Sequence, residues 1–210
     1  MFLVIYATLE EEKKLWQKGF SLVCGIDEVG RGCFAGPVVV GAVIFPVNVE
    51  LPAGQIADSK LLKPMQRKKL VELIKSKATS WAIAEVGGPT INKVGIGKAT
   101  QMAFRKVVKS LEKKPDFVLM DAFYISRLIG LTRKNQKPII KGDQISISIA
   151  AASIVAKVYR DKLMKKYHQK YPKYHFGKHK GYGTKLHQEA IKKYGLTRIH
   201  RKSFNLDKFL

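Results

Sequence analysis

Short apolar runs dominate the first half of the chain, and their composition predicts β-strands. Residues 22–28 and 36–45 are rich in β-branched residues and have glycines between them, which predicts the two strands of a hairpin. Residues 81–86 predict a third strand, and residues 116–121 predict a short buried strand that ends in a carboxylate. Another short apolar segment covers residues 138–140. The predicted extended segments therefore all lie before residue 141.

Helices are predicted between these strands and after them. They cover residues 9–19, 65–78, 89–111, 146–167 and 186–194. Pro64 opens the second helix, since proline is favoured in the first turn. Small residues at 150–153 predict close packing of the fourth helix against the sheet. The order, strands first and then strands alternating with helices, predicts a mixed-sheet α/β domain with a helical C-terminal part.

The composition adds a strong positive charge. The 210 residues include 39 Lys and Arg against 16 Asp and Glu, a formal charge of +23. This charge favours a polyanionic partner, because Lys and Arg displace counterions condensed on phosphates; an anionic membrane surface is the alternative. No run approaches the ~20 apolar residues of a membrane span, and no secretory pattern is present. We therefore expect a cytoplasmic protein with no membrane association, in which Cys24 and Cys33 are reduced thiols.

Acidic residues are scarce, yet two stand side by side in the sequence Gly-Ile-Asp-Glu-Val-Gly-Arg-Gly at residues 25–32. Buried carboxylates must be paired or must bind metal. Four acids lie where predicted strands end or loops begin: Asp27, Glu28, Asp121 and Asp143. Oxygen ligands without nearby His or Cys suit Mg²⁺ or Mn²⁺. If the four acids converge, two such ions about 4 Å apart can activate a water and stabilise the leaving oxygen in phosphodiester cleavage.

Each acid also has a structural interpretation. In the Asp27–Glu28 pair, one side chain can face solvent while the other pairs with Arg31. Asp121 can cap a loop at a strand end, and Asp143 can be the N-terminal cap of the helix that follows. The sequence leaves these alternatives open, because convergence of the acids depends on the topology of the sheet.

Four motifs of the chain resemble ribonuclease HII, the type 2 ribonuclease H family of bacteria. They are GIDEVGRGCFAGPVVVGAVIF from residue 25, ADSKL from residue 57, KGDQISISIAAASIVAKVYRD from residue 141 and KHKGYGT from residue 178, with His187 beyond the last. The resemblance runs from about residue 9 to residue 204 and keeps the motifs in the family's order.

The resemblance implies an RNase H-like mixed β-sheet flanked by helices. It implies that Asp27, Glu28, Asp121 and Asp143 are the catalytic residues and hold two Mg²⁺ or Mn²⁺ ions. The implied activity is cleavage of the RNA strand of RNA–DNA hybrids and incision 5′ of ribonucleotides embedded in duplex DNA, leaving a 3′-hydroxyl and a 5′-phosphate. This specificity comes from the resemblance alone. We expect a monomer, and a replication clamp as a partner is left undecided.

Three regions are expected on this basis. Residues 1–20 form a helical lead-in, residues 21–170 the RNase H-like catalytic domain, and residues 171–210 a basic helical part of the same domain that binds substrate. One rival is the type 3 hybrid ribonuclease, which carries an extra N-terminal domain, whereas few residues here precede the first predicted strand. The other rival is a non-catalytic nucleic-acid-binding protein, which gains nothing from carboxylates that face phosphate.

The glycines that flank Arg31 predict a loop that reads the sugar. Glycine lets the backbone approach a ligand closely, and exposed N–H and C=O groups can bond a ribose 2′-hydroxyl; a plain tight turn is the alternative. The resemblance implies that Gly30, Arg31 and Gly32 recognise the ribonucleotide, while the ring of Tyr182 stacks on the sugar of the next deoxyribonucleotide. Tyr182 can equally be a packing residue. Lys60 is a candidate phosphate contact, with an ordinary surface lysine as the alternative.

Three further residues are interpreted without a catalytic role. His179 and His187 are taken as exposed histidines of a basic loop. Gly95 stands where relatives often have asparagine, which puts any substrate contact of that asparagine in doubt.

Overall fold

A mixed five-stranded β-sheet lies at the centre of the computed structural model, which describes residues 7–51, 56, 63–128 and 130–210. The strands are β1 (Val23–Val29), β2 (Val38–Ile44), β3 (Ser80–Val86), β4 (Phe117–Asp121) and β5 (Gln136–Ile139). Their order across the sheet is β3-β2-β1-β4-β5. β2 runs antiparallel to both β1 and β3, whereas β4 runs parallel to both β1 and β5.

The predicted hairpin and the mixed sheet are confirmed. β1 pairs with β2, and every residue of β2 is buried. A strand that is covered on both faces has no polar side, and this is why residues 36–45 read as a continuous apolar run rather than an alternating one.

The part of the chain that the structure describes contains seven α-helices. They are α1 (Glu10–Trp16), α2 (Pro64–Lys77), α3 (Gly88–Ser110), α4 (Gly142–Ile145), α5 (Ile147–Lys170), α6 (Phe176–His179) and α7 (Lys185–Tyr194). Five of them match the predicted helices, although α1 is shorter than predicted. The four-residue helices α4 and α6 were not predicted, because one turn is too short to show a periodicity. None of the described helices is both long and apolar enough to cross a membrane.

Close approach of α5 to the sheet depends on small residues on both sides. A Cβ atom on Gly25 would lie 2.1 Å from the backbone carbon of Ser148, and one on Gly41 would lie 2.2 Å from the carbonyl oxygen of Ala152. Ala150, Ala152 and their neighbours are fully buried in this contact. The predicted close packing of residues 150–153 against the sheet is therefore confirmed.

Gly95 produces a break inside α3. Its φ of 78° and ψ of 157° interrupt the helical backbone. This region of φ and ψ is accessible essentially to glycine alone. An asparagine at this position would therefore need a different local backbone, and this explains physically why the chain departs from the expected residue.

We expect Gly25→Ala to destabilise the protein by about 1–3 kcal/mol, because the added methyl must push α5 away from the sheet. Gly97→Ala is the matched control, since Gly97 is an exposed helical glycine with open space around its Cβ position. That substitution should stabilise the protein by about 0.5–1 kcal/mol. Urea denaturation measures both values. Equal effects of the two substitutions would contradict the packing described for α5.

Candidate active site

Three neighbouring strands carry the four acids to one end of the sheet. Asp27 and Glu28 lie near the end of β1, and Asp121 is the last residue of β4. Asp143 lies in α4, directly after β5. Because β1, β4 and β5 are parallel to one another, their carboxyl ends meet at the same edge.

A cleft of about 550 Å³ opens at this edge. It is lined by Asp27, Glu28, Val29, Gly30, Arg31, Gly32, Arg67, Asp121, Asp143, Ser153, Lys157 and Tyr182. The structure thus brings together all of the predicted site residues except Lys60. Lys60 lies outside the described residues.

Asp27 and Glu28 occupy different environments. Asp27 is only 6% exposed, and it accepts hydrogen bonds from the backbone N–H of Glu28 (2.7 Å) and from the side chain of Ser153. Glu28 Oε1 lies 3.7 Å from Nη1 of Arg31, so the predicted alternative of a pair with Arg31 holds for this residue. The other part of that alternative is wrong, because Asp27 does not face solvent. Glu28 Oε2 is buried and has no hydrogen-bond partner among the described residues.

Asp121 and Asp143 are joined through the backbone. Oδ1 of Asp121 accepts a hydrogen bond of 3.0 Å from the N–H of Gly142, the residue before Asp143. The interpretation of Asp143 as the cap of the long helix is wrong, because Ser146 takes that position and its side chain accepts the N–H of Ile149. Asp143 is buried, in the first turn of α4.

Burial and nearby negative charges oppose ionisation of Asp27 and Glu28. Burial, followed by the negative charges of Glu28, Asp143 and Asp121, raises the pKa of Asp27 well above its usual value. Burial raises the pKa of Glu28 to about 7, although the cation of Arg31 acts in the opposite direction. A divalent cation in the cleft would reverse these effects, because it favours the charged carboxylates.

The donor atoms of the cleft fit Mg²⁺ or Mn²⁺. All four acids supply hard oxygen ligands, and the buried Oε2 of Glu28 has no hydrogen-bond partner within the described part of the chain. Within the described ranges, no three His, Cys, Asp or Glu side chains are already drawn together into a closed metal site. The four acids line the same cleft without forming such a closed site.

Two cations of the cleft were not predicted from the sequence. Lys157 of α5 pairs with Asp161 at 2.8 Å, and Arg67 of α2 lies 3.8 Å from the same carboxylate. The positions of Ser153, Lys157 and Asp161 repeat every four residues, so they share one face of α5. This spacing could have predicted that Lys157 lies on the same side of α5 as Ser153, and therefore at the cleft. Arg67 carries no such signal, because it stands among the other basic residues of its helix.

The Gly-Arg-Gly loop (residues 30–32) follows β1 directly. Gly30 has a φ of +85°, and a Cβ atom there would lie 2.1 Å from Nε of Arg160, so glycine is required on both counts. The guanidinium of Arg31 lies 4.5 Å from the ring centre of Phe123. Tyr182 is 43% exposed, and its hydroxyl hydrogen-bonds the sulfur of Cys33, just after the loop. Loop and tyrosine therefore lie side by side at the cleft.

The interpretation of His179 and His187 as exposed loop residues is wrong. His187 is fully buried, and His179 is partly buried with its ring stacked on that of His187 at 4.4 Å. Burial lowers the pKa of His187 to about 4, so its ring is neutral near pH 7. The error arose because the surrounding lysines suggest a solvated loop, whereas Phe176 and other aromatic rings cover these histidines.

Comparison with known proteins agrees with this architecture. The family model described as Ribonuclease HII matches residues 24–207. A ribonuclease HII of Caldanaerobacter subterraneus is 46% identical over 193 residues, which cover 92% of this chain and 78% of that protein. A ribonuclease HII of Syntrophus aciditrophicus is 44% identical over 195 residues, covering 93% of this chain and 89% of that protein.

A solved structure shares the fold. The crystal structure of the ribonuclease H2 from Pyrococcus horikoshii OT3 matches with a TM-score of 0.73 and 27% sequence identity. The match covers 89% of this chain and 96% of that one. The mixed sheet with flanking helices is therefore an RNase H-like fold, as the sequence predicts.

We expect Glu28→Gln to stabilise the metal-free protein above pH 7 by on the order of 3 kcal/mol. The folded state holds a proton on Glu28 up to a pKa of about 7, whereas the ordinary value is 4.5. The contribution of Glu28 to the folding stability of the wild type therefore falls as the pH rises from 4.5 to 7, and glutamine removes that loss. Below pH 4.5 the two proteins should have equal stability.

Urea denaturation in EDTA at pH 4.5 and pH 8 measures this difference. Glu112→Gln is the control, since Glu112 is exposed and lies outside the cleft. A Glu28→Gln protein that is less stable than the wild type at pH 8 would contradict the electrostatic description of the cleft.

Proposed function

The chain belongs to the ribonuclease HII family, and on that premise we propose that it incises duplex DNA on the 5′ side of an embedded ribonucleotide. The coarser activity follows from family membership: it is a ribonuclease H, a metal-dependent hydrolase that acts on RNA–DNA hybrids. The single observation that carries the finer proposal is the position of the Gly-Arg-Gly loop and Tyr182 beside four converging carboxylates in one cleft.

The four acids are proposed to hold two divalent ions, Mg²⁺ or Mn²⁺. The proposal is supported by the all-oxygen donor set, by the unpartnered Oε2 of Glu28 and by the raised pKa of Asp27. Ions bound there supply the Lewis acidity for hydrolysis of a phosphodiester to a 3′-hydroxyl and a 5′-phosphate. Ser153 holds the Asp27 carboxylate in place by a hydrogen bond.

The sugar is proposed to be read by backbone groups of the Gly-Arg-Gly loop. Among the described residues, nothing accepts a hydrogen bond from the backbone N–H groups of Arg31 and Gly32. These donors are available to a 2′-hydroxyl, the group that distinguishes RNA from DNA. The half-exposed ring of Tyr182 is proposed to stack on the sugar of the following deoxyribonucleotide.

Phosphate binding is proposed for the basic rim of the cleft. Arg67 and Lys157 line it, and residues 171–210 add many further cations on the same polypeptide. Such contacts contribute affinity and register but do not read sequence. Lys60 is proposed as a further phosphate contact on the basis of its motif alone.

The first experiment is an incision assay on duplex DNA that contains one ribonucleotide. We expect a single cut 5′ of the ribonucleotide with Mg²⁺ or Mn²⁺, and no cut with EDTA. Asp27→Asn should reduce the rate by at least about 10³-fold while binding of the duplex persists, because an amide is a weaker metal ligand than a carboxylate. Asp207→Asn, a matched change of an exposed acid in the C-terminal part, should leave the rate unchanged.

Two results would overturn the proposal. Absence of metal-dependent incision of this duplex by the wild type would refute the proposed action on an embedded ribonucleotide. Full activity of Asp27→Asn would refute the assignment of the metal ligands.

The second experiment tests Tyr182. We expect Tyr182→Ala to lower kcat/KM on the single-ribonucleotide duplex by about 10-fold or more and to affect a long RNA–DNA hybrid less, because only the former always presents a deoxyribose to the ring. Tyr194→Ala is the control, since Tyr194 has a similar exposure of 41% and lies outside the cleft. Equal losses on both substrates would show that Tyr182 is a packing residue.

A further inference from the structure

A short segment near the C-terminus, residues 199–201, packs behind the Gly-Arg-Gly loop; we call it the buttress segment. Its backbone is tied to the chain just after the loop. The N–H of Gly36 donates to the carbonyl of Ile199 (2.9 Å), and the N–H of Arg201 donates to the carbonyl of Phe34 (2.7 Å). Between them His200 forms a β-bridge with Ala35. The buttress segment is therefore fixed relative to the loop over three successive residues.

The side chain of Arg201 holds the loop itself. It is fully buried, and its Nη1 and Nη2 donate to the carbonyls of Arg31 (2.6 Å) and Gly30 (2.7 Å). Nε and Nη2 also donate to the carbonyl of Gly36, at 3.0 and 2.9 Å. Among the described residues, no carboxylate forms an ion pair with this guanidinium. The hydrogen bonds that it donates all go to backbone carbonyl oxygens.

This arrangement fixes the direction of two peptide groups. A guanidinium is a rigid planar fork, and here it binds two successive carbonyls of one loop. Since each peptide group is planar, holding the carbonyls of Gly30 and Arg31 also sets where the N–H groups of Arg31 and Gly32 point. These are the donors proposed for the 2′-hydroxyl. Burial lowers the pKa of Arg201 to about 10, so the fork stays charged at pH 7.

The neighbouring residue, His200, reaches the other sugar-reading element. The N–H of Thr197 donates to its Nδ1 (2.8 Å), so the proton of the neutral ring is on Nε2. That Nε2 lies 3.1 Å from Nε2 of His187, whose Nδ1 lies 2.9 Å from the carbonyl oxygen of Tyr182. The carbonyl can only accept, so the Nδ1 of His187 carries its proton and its Nε2 accepts from His200.

The two histidines thus form a relay of hydrogen bonds with one direction, from Thr197 through His200 and His187 to the backbone of Tyr182. Burial lowers the pKa of His187 and of His200 to about 4 each, and this keeps both rings in the neutral form that the relay requires. Both rings are fully buried, so water does not compete for these bonds.

We propose that His200 and Arg201 are positioning residues that set the spacing between the Gly-Arg-Gly loop and Tyr182, and thereby the selectivity for a ribonucleotide followed by a deoxyribonucleotide. Arg201 holds the Gly-Arg-Gly loop, and His200 holds Tyr182 through His187. Because both side chains belong to the fixed buttress segment, neither the loop nor Tyr182 can shift without straining that segment. The inference rests on the proposed function of the cleft. It adds residues that lie behind the cleft and do not line it.

The test compares two substrates: a duplex with a single ribonucleotide and a long RNA–DNA hybrid. The selectivity ratio is kcat/KM on the first divided by kcat/KM on the second. We expect Arg201→Lys to lower this ratio about 10-fold, because a lysine ammonium cannot bind both carbonyls in a planar fork. His200→Phe should lower it similarly, whereas His200→Gln, which retains an N–H donor, should restore part of it.

The matched control is Arg198→Lys. Arg198 is exposed and lies three residues before Arg201 in the same part of the chain, so the chemical change is identical. It should leave the ratio unchanged. Thermal melting of each variant shows whether it is folded at the assay temperature. The variants of Arg201 and those of His200 test the proposal independently of each other.

A double-mutant cycle separates positioning from general structural damage. If His200 acts through Tyr182, then His200→Phe should change the ratio little further in a Tyr182→Ala background. Additive effects would overturn the proposal for His200, and an unchanged ratio in folded Arg201→Lys would overturn it for Arg201. A wild type that cuts neither substrate would instead refute the proposed function, so the two failures are distinguishable.

Discussion

Burial of two adjacent carboxylates on a central strand is the constraint on which the rest of the site depends. Asp27 and Glu28 lie in β1, which has the β2 hairpin on one side and the parallel strand β4 on the other. That topology brings Asp121 and Asp143 to the same edge, so four negative charges share one cleft. Such an arrangement is unfavourable in a metal-free protein, and the raised pKa values of Asp27 and Glu28 reflect it. The proposed binding of divalent cations offers one physical explanation for all four acids.

The surrounding structure is rigid where the site needs it to be. The long helix α5 lies against β1 and β2 through backbone contacts that only glycine permits in the sheet, and it brings Ser153 to Asp27 and Lys157 to the cleft. At the Gly-Arg-Gly loop, buried Arg201 takes the place of solvent as the hydrogen-bond partner of the carbonyls of Gly30 and Arg31. In the proposed function, the catalytic carboxylates therefore lie on strands and a helix, whereas the backbone groups proposed to recognise the sugar lie on a loop that a guanidinium supports.

Much of the fold and of the site could be predicted from the sequence. The features that could not be predicted have one cause in common, which is the lack of a local signal in the sequence. The strands, the main helices and the four acids were predictable because each leaves a local signal, such as a β-branched run or a carboxylate at a strand end. The burial of His187 was not recognised, since the basic loop before it suggests exposure whereas its cover comes from the rings of Phe176 and His200. The contact of Arg201 with Gly30 spans 171 residues, and no local pattern marks an arginine that binds backbone oxygens.

The central claim is that Asp27, Glu28, Asp121 and Asp143 form one centre for divalent ions. Its most direct test is a crystal structure with Mn²⁺ and a non-cleavable duplex that contains one ribonucleotide, with the ions located by anomalous scattering. We expect Mn²⁺ within coordination distance of these four carboxylates, next to the phosphate on the 5′ side of the ribonucleotide. Ions bound elsewhere, or a phosphate that lies away from the acids, would contradict it.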